Sequence, residues 1–299
     1  MKNTLCTIST KSHLYKVKAL FDSVKEYSNC NLAVLIVDDN NDIKYDAHTY
    51  FLKNFGSDIS KKIIAKYQNQ KDKLRWALKS SFINLLLNND VDKVIYIDND
   101  IYFYNNFNFI WEELKDNNVL LTPHYYPFDP LENQNWFEAN FRVGLYNAGF
   151  FAANKDSKKV LNWWSEACLY RMEKNYFRGL FDDQKYLDLI PNIFPKIKVL
   201  KHQGCNVAEW NNKTLERTKN KHNIIINNKF PLIFYHYNNY SVQKILEDET
   251  HILRECFHNY FENLKLYNAN LKLGNLYEKK KITSSVKLKI WKFLNKLNK

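Results

Sequence analysis

Three runs of apolar residues organise the first hundred positions, and each stops abruptly at polar side chains. Thr4-Leu5-Cys6-Thr7-Ile8-Ser9 opens the series, Leu32-Ala33-Val34-Leu35-Ile36-Val37 follows and ends at Asp38-Asp39, and Lys93-Val94-Ile95-Tyr96-Ile97 ends at Asp98-Asn99-Asp100. The runs are continuous and rich in β-branched residues, the pattern of strands covered on both faces, as in a parallel sheet. Tyr15 to Tyr27 and Leu74 to Leu87 carry apolar residues at helical intervals, which makes strand, helix, strand the repeating unit and predicts an α/β fold. From Thr122 to Gly144 the pattern gives way to Pro, Asn and aromatic residues and reads as a long ordered loop, of the kind that forms lids or binding loops. Asn147 to Ala153 reads as a turn entering a strand, Val160 to Tyr170 as a helix with Trp163 and Trp164 in the core, Leu187 to Val199 as irregular, Leu232 to Tyr237 as a late strand and Val242 to Leu266 as a helix.

Ligands in open α/β sheets bind beyond the carboxyl ends of parallel strands, which is where Asp98 and Asp100 are expected. Two carboxylates on such a bend can share one hard divalent cation and leave its other positions to water and phosphate, so a diphosphate ligand is the natural expectation. Asp90-Val91-Asp92 has the same spacing but precedes the strand, where Asp caps or solvates. For Asp98 and Asp100 the plain alternative is an Asx-type turn without a ligand.

Composition narrows the chemistry. The chain has 299 residues, enough for a full α/β core with an appendage, and only six glycines. Neither GxGxxG nor GxxxxGK[ST] occurs, which argues against a dinucleotide oxidoreductase and a P-loop nucleotidase. Five cysteines without a CxxC pair do not suggest a disulfide framework or a zinc cluster, and a cytoplasmic setting is expected. No long apolar run marks export or a membrane span. The net charge is +12, but residues 279–299 hold eight lysines and no acid, leaving about +4 on the other 278 residues. Val286, Ile290, Leu294 and Leu297 recur there at helical spacing beside Trp291, so this tail reads as a basic amphipathic helix suited to an anionic membrane surface. The rest of the chain has no matching basic face, and a nucleic-acid partner is not expected.

Taken together, Tyr96-Ile97-Asp98-Asn99-Asp100, Tyr146-Asn147-Ala148-Gly149-Phe150 and Phe181-Asp182-Asp183-Gln184 resemble, in order and spacing, the GT-A glycosyltransferases, and specifically family 8 and its bacterial relatives, over roughly residues 4 to 240. The resemblance implies a Rossmann-like sheet that binds a nucleoside-diphosphate sugar, UDP-sugar favoured, and transfers the sugar with retention. It implies that Asp98 and Asp100 hold Mn²⁺ with the donor diphosphate and that His236 completes the metal site, with Mg²⁺ as the alternative ion. The imidazole favours the softer Mn²⁺. The glycine that often follows this histidine is replaced here by Tyr237-Asn238-Asn239. Lys79 matches a basic position near the donor, with Arg75 one helical turn away. Thr7, Ser9 and Asp38 fall where the family seats the nucleoside, Asn99 lies between the two acids, and Asn147-Ala148-Gly149 would let the backbone approach the sugar. Asp183 and Gln184 match the acid–amide pair beside the donor sugar, and Asp182 is an additional acid. Helix capping is the structural alternative for Asp182 and Asp183. Asn206 to Asn211, with Trp210, are placed on the acceptor side.

The expected organisation is a catalytic domain over 1–240, a helical extension over 241–278 and the basic tail over 279–299. The expected activity is transfer of a sugar to a hydroxyl of a glycan or lipid-linked glycan of the cell envelope, lipopolysaccharide or capsule type, at the inner face of the cytoplasmic membrane. The competing readings are an inverting transferase with Asp182 or Asp183 as base, a nucleotidyltransferase, and a basic peripheral membrane protein without enzymatic activity.

Overall fold

The computed structural model describes residues 2–40, 45–220 and 223–276. The basic tail expected over 279–299 lies outside them. The first half of the chain runs β1 (Asn3–Ser9), α1 (Leu14–Lys25), β2 (Asn31–Ile36), β3 (His48–Phe51), α2 (Asp58–Tyr67), α3 (Lys71–Ala77), α4 (Lys79–Leu87), β4 (Lys93–Ile97), β5 (Ile101–Phe103), α5 (Asn108–Glu113), β6 (Val119–Pro123) and α6 (Gln134–Arg142). It continues through β7 (Tyr146–Asn154), α7 (Lys158–Tyr170), the short β8 (Lys174–Asn175) and β9 (Leu180–Phe181), α8 (Ile190–Ile193) and β10 (Ile197–Val199). Last come β11 (Arg217–Asn220), β12 (Asn223–Ile226), β13 (Phe230–Pro231), β14 (Phe234–His236), α9 (Asn239–Glu247) and α10 (Arg254–Tyr267).

Among the described residues seven strands form the central sheet in the order β10-β6-β7-β4-β1-β2-β3. All are mutually parallel except β7, which runs antiparallel to both its neighbours β6 and β4. This is the expected α/β fold class, a mainly parallel sheet followed by helices. Strand periodicity divides the core: Cys6 and Tyr96 face one layer, with Phe82 of α4 and Trp164 of α7, while Leu5 and Ile95 face the other, with Phe21 of α1 and Trp111 of α5. Each fully buried large side chain of this kind contributes about 1.5–3 kcal/mol from removal of apolar surface from water. The C-terminal helices share a third core with the strand pair β5–β14. There Tyr237 stacks on Tyr260 at 4.2 Å, with Tyr235, Val242 and Phe257 around them.

Several elements differ from the pattern-based expectation. The segment read as one helix over 74–87 is two, α3 and α4, meeting at Leu78 (φ −90°, ψ −2°), so the side chain of Lys79 leaves the helix surface and enters the interior. The loop read over 122–144 contains α6, whose buried Ala139 packs with Tyr126 and Trp210. Asn147 is already within β7, not in a turn before it. Residues 187–199 include β10, an edge of the central sheet, and the final helix is divided into α9 and α10. Among the described residues no helix is long and apolar enough to cross a membrane.

Candidate active site

The direction of β7 assembles the site. Because β7 runs against β4, its first residues lie beside the last residues of β4: Ile97 pairs with Phe150, and the Asp98 N–H donates to the Gly149 carbonyl at 2.9 Å. A strand of the opposite sense would bring Ala153 and Asn154 there instead. The pair β5–β14 delivers the third component, since His236 is opposite Ile101 and the Tyr237 N–H donates to the Asp100 carbonyl at 2.7 Å. His236 Nε2 consequently stands 3.0 Å from Asp100 Oδ1. Burial works against charge on this pair, but their mutual attraction outweighs it, raising the His236 pKa and holding Asp100 well below the usual carboxylate range.

One ligand atom each from Asp98, Asp100 and His236 fits within 4.8 Å of the others. The space among them depends on Gly149, where a Cβ would stand 2.8 Å from His236 Cε1 and 3.2 Å from Asp98 Oδ2. Two carboxylates, an imidazole and an open space kept by glycine suit a divalent cation. Tyr96 fixes Asp98 by donating its hydroxyl to Oδ1 at 2.7 Å. The acids Asp90 and Asp92 lie at the other end of β4, and Asp92 there binds the Lys2 N–H and Lys155, each at 2.8 Å.

Lys79 joins this cluster to the Asp182–Gln184 segment. Its buried ammonium is 3.2 Å from Asp98 Oδ1, 3.2 Å from Asp183 Oδ2 and donates to the Ala148 carbonyl at 2.9 Å. Two carboxylates and a carbonyl surround it, which lets a lysine remain charged in a closed interior: burial lowers its pKa, and the two acids more than restore it. For Asp183 desolvation is the larger effect and carries the carboxyl up to about 6 despite Lys79. Trp164 Nε1 holds the Asp183 carbonyl at 3.0 Å. Asp182 adopts φ +46°, a conformation rare for residues with a side chain, and pairs with Lys174 at 3.6 Å. Neither acid caps a helix. Gln184 occupies the capping position of the short 3₁₀ segment Lys185–Leu189 without a side-chain cap. Its amide is turned inward, Oε1 accepting from the Ala148 N–H at 3.3 Å and Nε2 donating to the Val143 carbonyl at 3.2 Å.

Two clefts meet at Asp98. The larger, about 910 Å³, also exposes Asn99, Asp100 and Arg75. The smaller, about 300 Å³, contains Lys79, the Asn147–Gly149 strand start, Asp182, Asp183, Gln184 and His236. Thr7, Ser9 and Asp38 line neither cleft. Thr7 and Ser9 are buried, Ser9 Oγ accepting from Asn99 Nδ2 at 3.1 Å, while Asp38 accepts from the Lys11 N–H at 2.8 Å and pairs with Lys71 at 2.9 Å. Trp210 lines the smaller cleft, its ring 5.2 Å from His236, whereas Asn206 and Asn211 are used in the loop itself, donating to the carbonyls of Pro123 and His124. His124 is a cleft residue that the sequence reading left unassigned within its aromatic loop. Its Nδ1–H donates to the Gly144 carbonyl at 2.9 Å, its ring stacks on Tyr126 at 4.7 Å, and burial drives its pKa down to about 3, so it is neutral near pH 7. The His-Tyr-Tyr run between Pro123 and Pro127 was the available signal.

Comparison with known proteins agrees with this architecture. Among solved structures, apo xyloside xylosyltransferase 1 of mouse superposes with a TM-score of 0.50 at 12% identity, covering 81% of this chain and 99% of that one. The apo glycosyltransferase GlyE of Streptococcus pneumoniae TIGR4 also gives 0.50, at 13% identity, over 92% of this chain and 62% of its own. The fold is that of a GT-A glycosyltransferase. Identities this low establish the glycosyltransferase fold and leave the chemistry to the side chains described above. No family model matches the chain. In sequence it is 27% identical over 262 residues to the uncharacterized protein YfnF of Bacillus subtilis (strain 168), covering 83% of this chain and 84% of YfnF. It is 24% identical over 249 residues to the uncharacterized protein YfnD of the same organism, with 79% and 77% covered.

Proposed function

We propose that the protein is a metal-dependent, retaining glycosyltransferase that moves a sugar from a nucleoside-diphosphate donor, UDP-sugar favoured, to a hydroxyl of a cell-envelope glycan. The observation that carries this reading is the convergence of Asp98, Asp100 and His236 with Asp183 and Gln184 around the start of β7. Asp98, Asp100 and His236 would hold a divalent cation, which would supply positive charge to the departing diphosphate. Asp183, fixed by Lys79, accepts hydrogen bonds from the donor sugar and sets its orientation in the smaller cleft. Gln184, held at both ends of its amide, presents a dipole to the anomeric region without the nucleophilicity that a covalent intermediate requires. The acceptor then attacks from the face the diphosphate leaves, and a phosphate oxygen takes its proton.

The inverting alternative needs a carboxylate free to act as base. Asp183 is committed to Lys79 at 3.2 Å and Asp182 faces Lys174 at 3.6 Å, which favours retention. The envelope acceptor and the inner membrane face rest on the lysine-rich tail of the sequence. Calorimetric titration with UDP, with and without Mn²⁺, tests the core of the reading. Binding should require Mn²⁺ and disappear in Asp100→Asn. Mn²⁺-independent or absent binding of UDP, GDP and CDP alike would refute it, and the anomeric configuration of the product by NMR decides between retention and inversion.

A further inference from the structure

The larger cleft has cationic side chains as well as carboxylates, and one of them has no partner among the described residues. Lys16, in the first turn of α1, lines the cleft together with Arg75 of α3, Asp98 and Asp100. Among the described residues the Lys16 ammonium has no hydrogen-bond or ion-pair partner, although it is partly withdrawn from water. Burial lowers the pKa of its ammonium, the field of Asp100 offsets part of that loss, and the charge of Arg75 adds to it. Arg75 spends one nitrogen on Asp72, at 2.7 Å, and leaves a buried Nε without a partner. Cations arranged this way, near each other and short of counter-charge, are unfavourable until an anion enters between them.

The charge balance of the neighbouring cluster says which anion fits. Asp98, Asp100 and Asp183 carry three negative charges. A divalent cation and Lys79 would cancel them, and the Lys79 ammonium is already engaged by the carboxylates of Asp98 and Asp183 and by the Ala148 carbonyl. Nothing in that cluster is left to neutralise the two or three negative charges of a diphosphate. Lys16 and Arg75 line the same cleft as Asp98 and Asp100. We propose that Lys16, supported by Arg75, binds the diphosphate of the donor and positions it in the cleft that Asp98 and Asp100 also line. This assignment rests on the donor reading given above and names the side chain that completes it. A lysine ammonium suits the task as a mobile point charge that can follow the phosphates as the leaving group separates.

The test is calorimetric titration of UDP and UMP, each with Mn²⁺, into wild type, Lys16→Met and Lys16→Arg. Lys16→Met keeps the length of the stem and removes only the charge, so its thermal unfolding temperature should equal or exceed that of wild type. UDP affinity should fall 10- to 100-fold in Lys16→Met, the preference for UDP over UMP should shrink by a similar factor, and Lys16→Arg should stay within about threefold of wild type. A second measurement avoids substitution. UDP with Mn²⁺ should protect Lys16 of wild type from acetylation by acetic anhydride, read by peptide mass spectrometry, whereas Lys11 should react equally with and without the nucleotide. Wild type that binds UDP while Lys16→Met binds it equally well, or unchanged acetylation of Lys16 in the presence of bound UDP, overturns the role of Lys16 and leaves the donor reading intact. Wild type that binds none of UDP, GDP and CDP overturns both.

Discussion

Asp98 and Gly149 are tied by a single backbone hydrogen bond of 2.9 Å, and the same glycine keeps empty the space into which the Asp98 carboxylate points. One residue thus sets both the height of β4 against β7 and the opening beside the two acids. A Cβ at position 149 would meet Asn147 Oδ1 at 2.6 Å, His236 Cε1 at 2.8 Å and Asp98 Oδ2 at 3.2 Å, and these side chains are engaged, Asn147 accepting from the Gly149 N–H, His236 pairing with Asp100 and Asp98 accepting from Tyr96. Gly149→Ala should therefore fold, with a loss of about 1–3 kcal/mol from overpacking, and lose Mn²⁺-dependent UDP binding by at least tenfold. Urea unfolding measures the first effect and calorimetry the second. Unchanged affinity would mean that ligand does not enter beside Gly149.

What the sequence could show of this site follows from how each part is made. Asp98 and Asp100 were legible because a buried strand that stops at two acids is a local pattern. Asn147 to Gly149 were legible as a motif, but the reason they reach Asp98 was not, since a continuous apolar run does not reveal whether its strand runs with or against its neighbours. The break at Leu78 was hidden for a similar reason. The apolar residues of α3 and α4 keep helical spacing across it, and the departure follows from tertiary contacts that turn Lys79 inward toward Asp98 and Asp183. His236 came only from the resemblance, because a histidine at the end of a short strand has no local signature.

Asp183 should shape the pH dependence of stability. Its folded pKa, about 6, lies above the value of about 3.9 for an unfolded Asp, so the folded state holds its proton more tightly and this contribution is complete below about pH 4. It is lost as pH rises from about 4 to about 6, an effect on the order of 3 kcal/mol at neutral pH. Asp183→Asn cannot titrate, and its unfolding free energy should be flatter than that of wild type over this interval. Chemical denaturation at half-unit steps from pH 4 to pH 7.5 provides the comparison. Parallel curves for the two proteins would show that burial does not raise this carboxyl.

Glu209 gives the opposite sign. Its Oε1 receives Arg217, the Tyr235 hydroxyl at 3.0 Å and His251 Nε2 at 3.3 Å, in a pocket where Glu209 and Arg217 are nearly closed to solvent. Burial alone would raise this carboxyl, but His251 and Arg217 prevail and bring it down to about 2. Unfolded Glu titrates near 4.3, so the stabilisation is fully present above about pH 4.3 and is lost as pH falls toward 2, roughly 3 kcal/mol in all. Glu209→Gln should cost about 3–5 kcal/mol at pH 7, because Arg217 is left buried without a counter-charge, and the cost should shrink as the pH is lowered from 4.3 to 2. The network joins β11, β14 and the connection between α9 and α10 to the turn that carries Trp210, whose ring centroid lies 5.2 Å from that of His236. The same variant should therefore weaken Mn²⁺-dependent UDP binding several-fold without contacting ligand. A loss of stability that is equal at pH 3 and pH 7 would show that Glu209 acts by packing and hydrogen bonding rather than by charge.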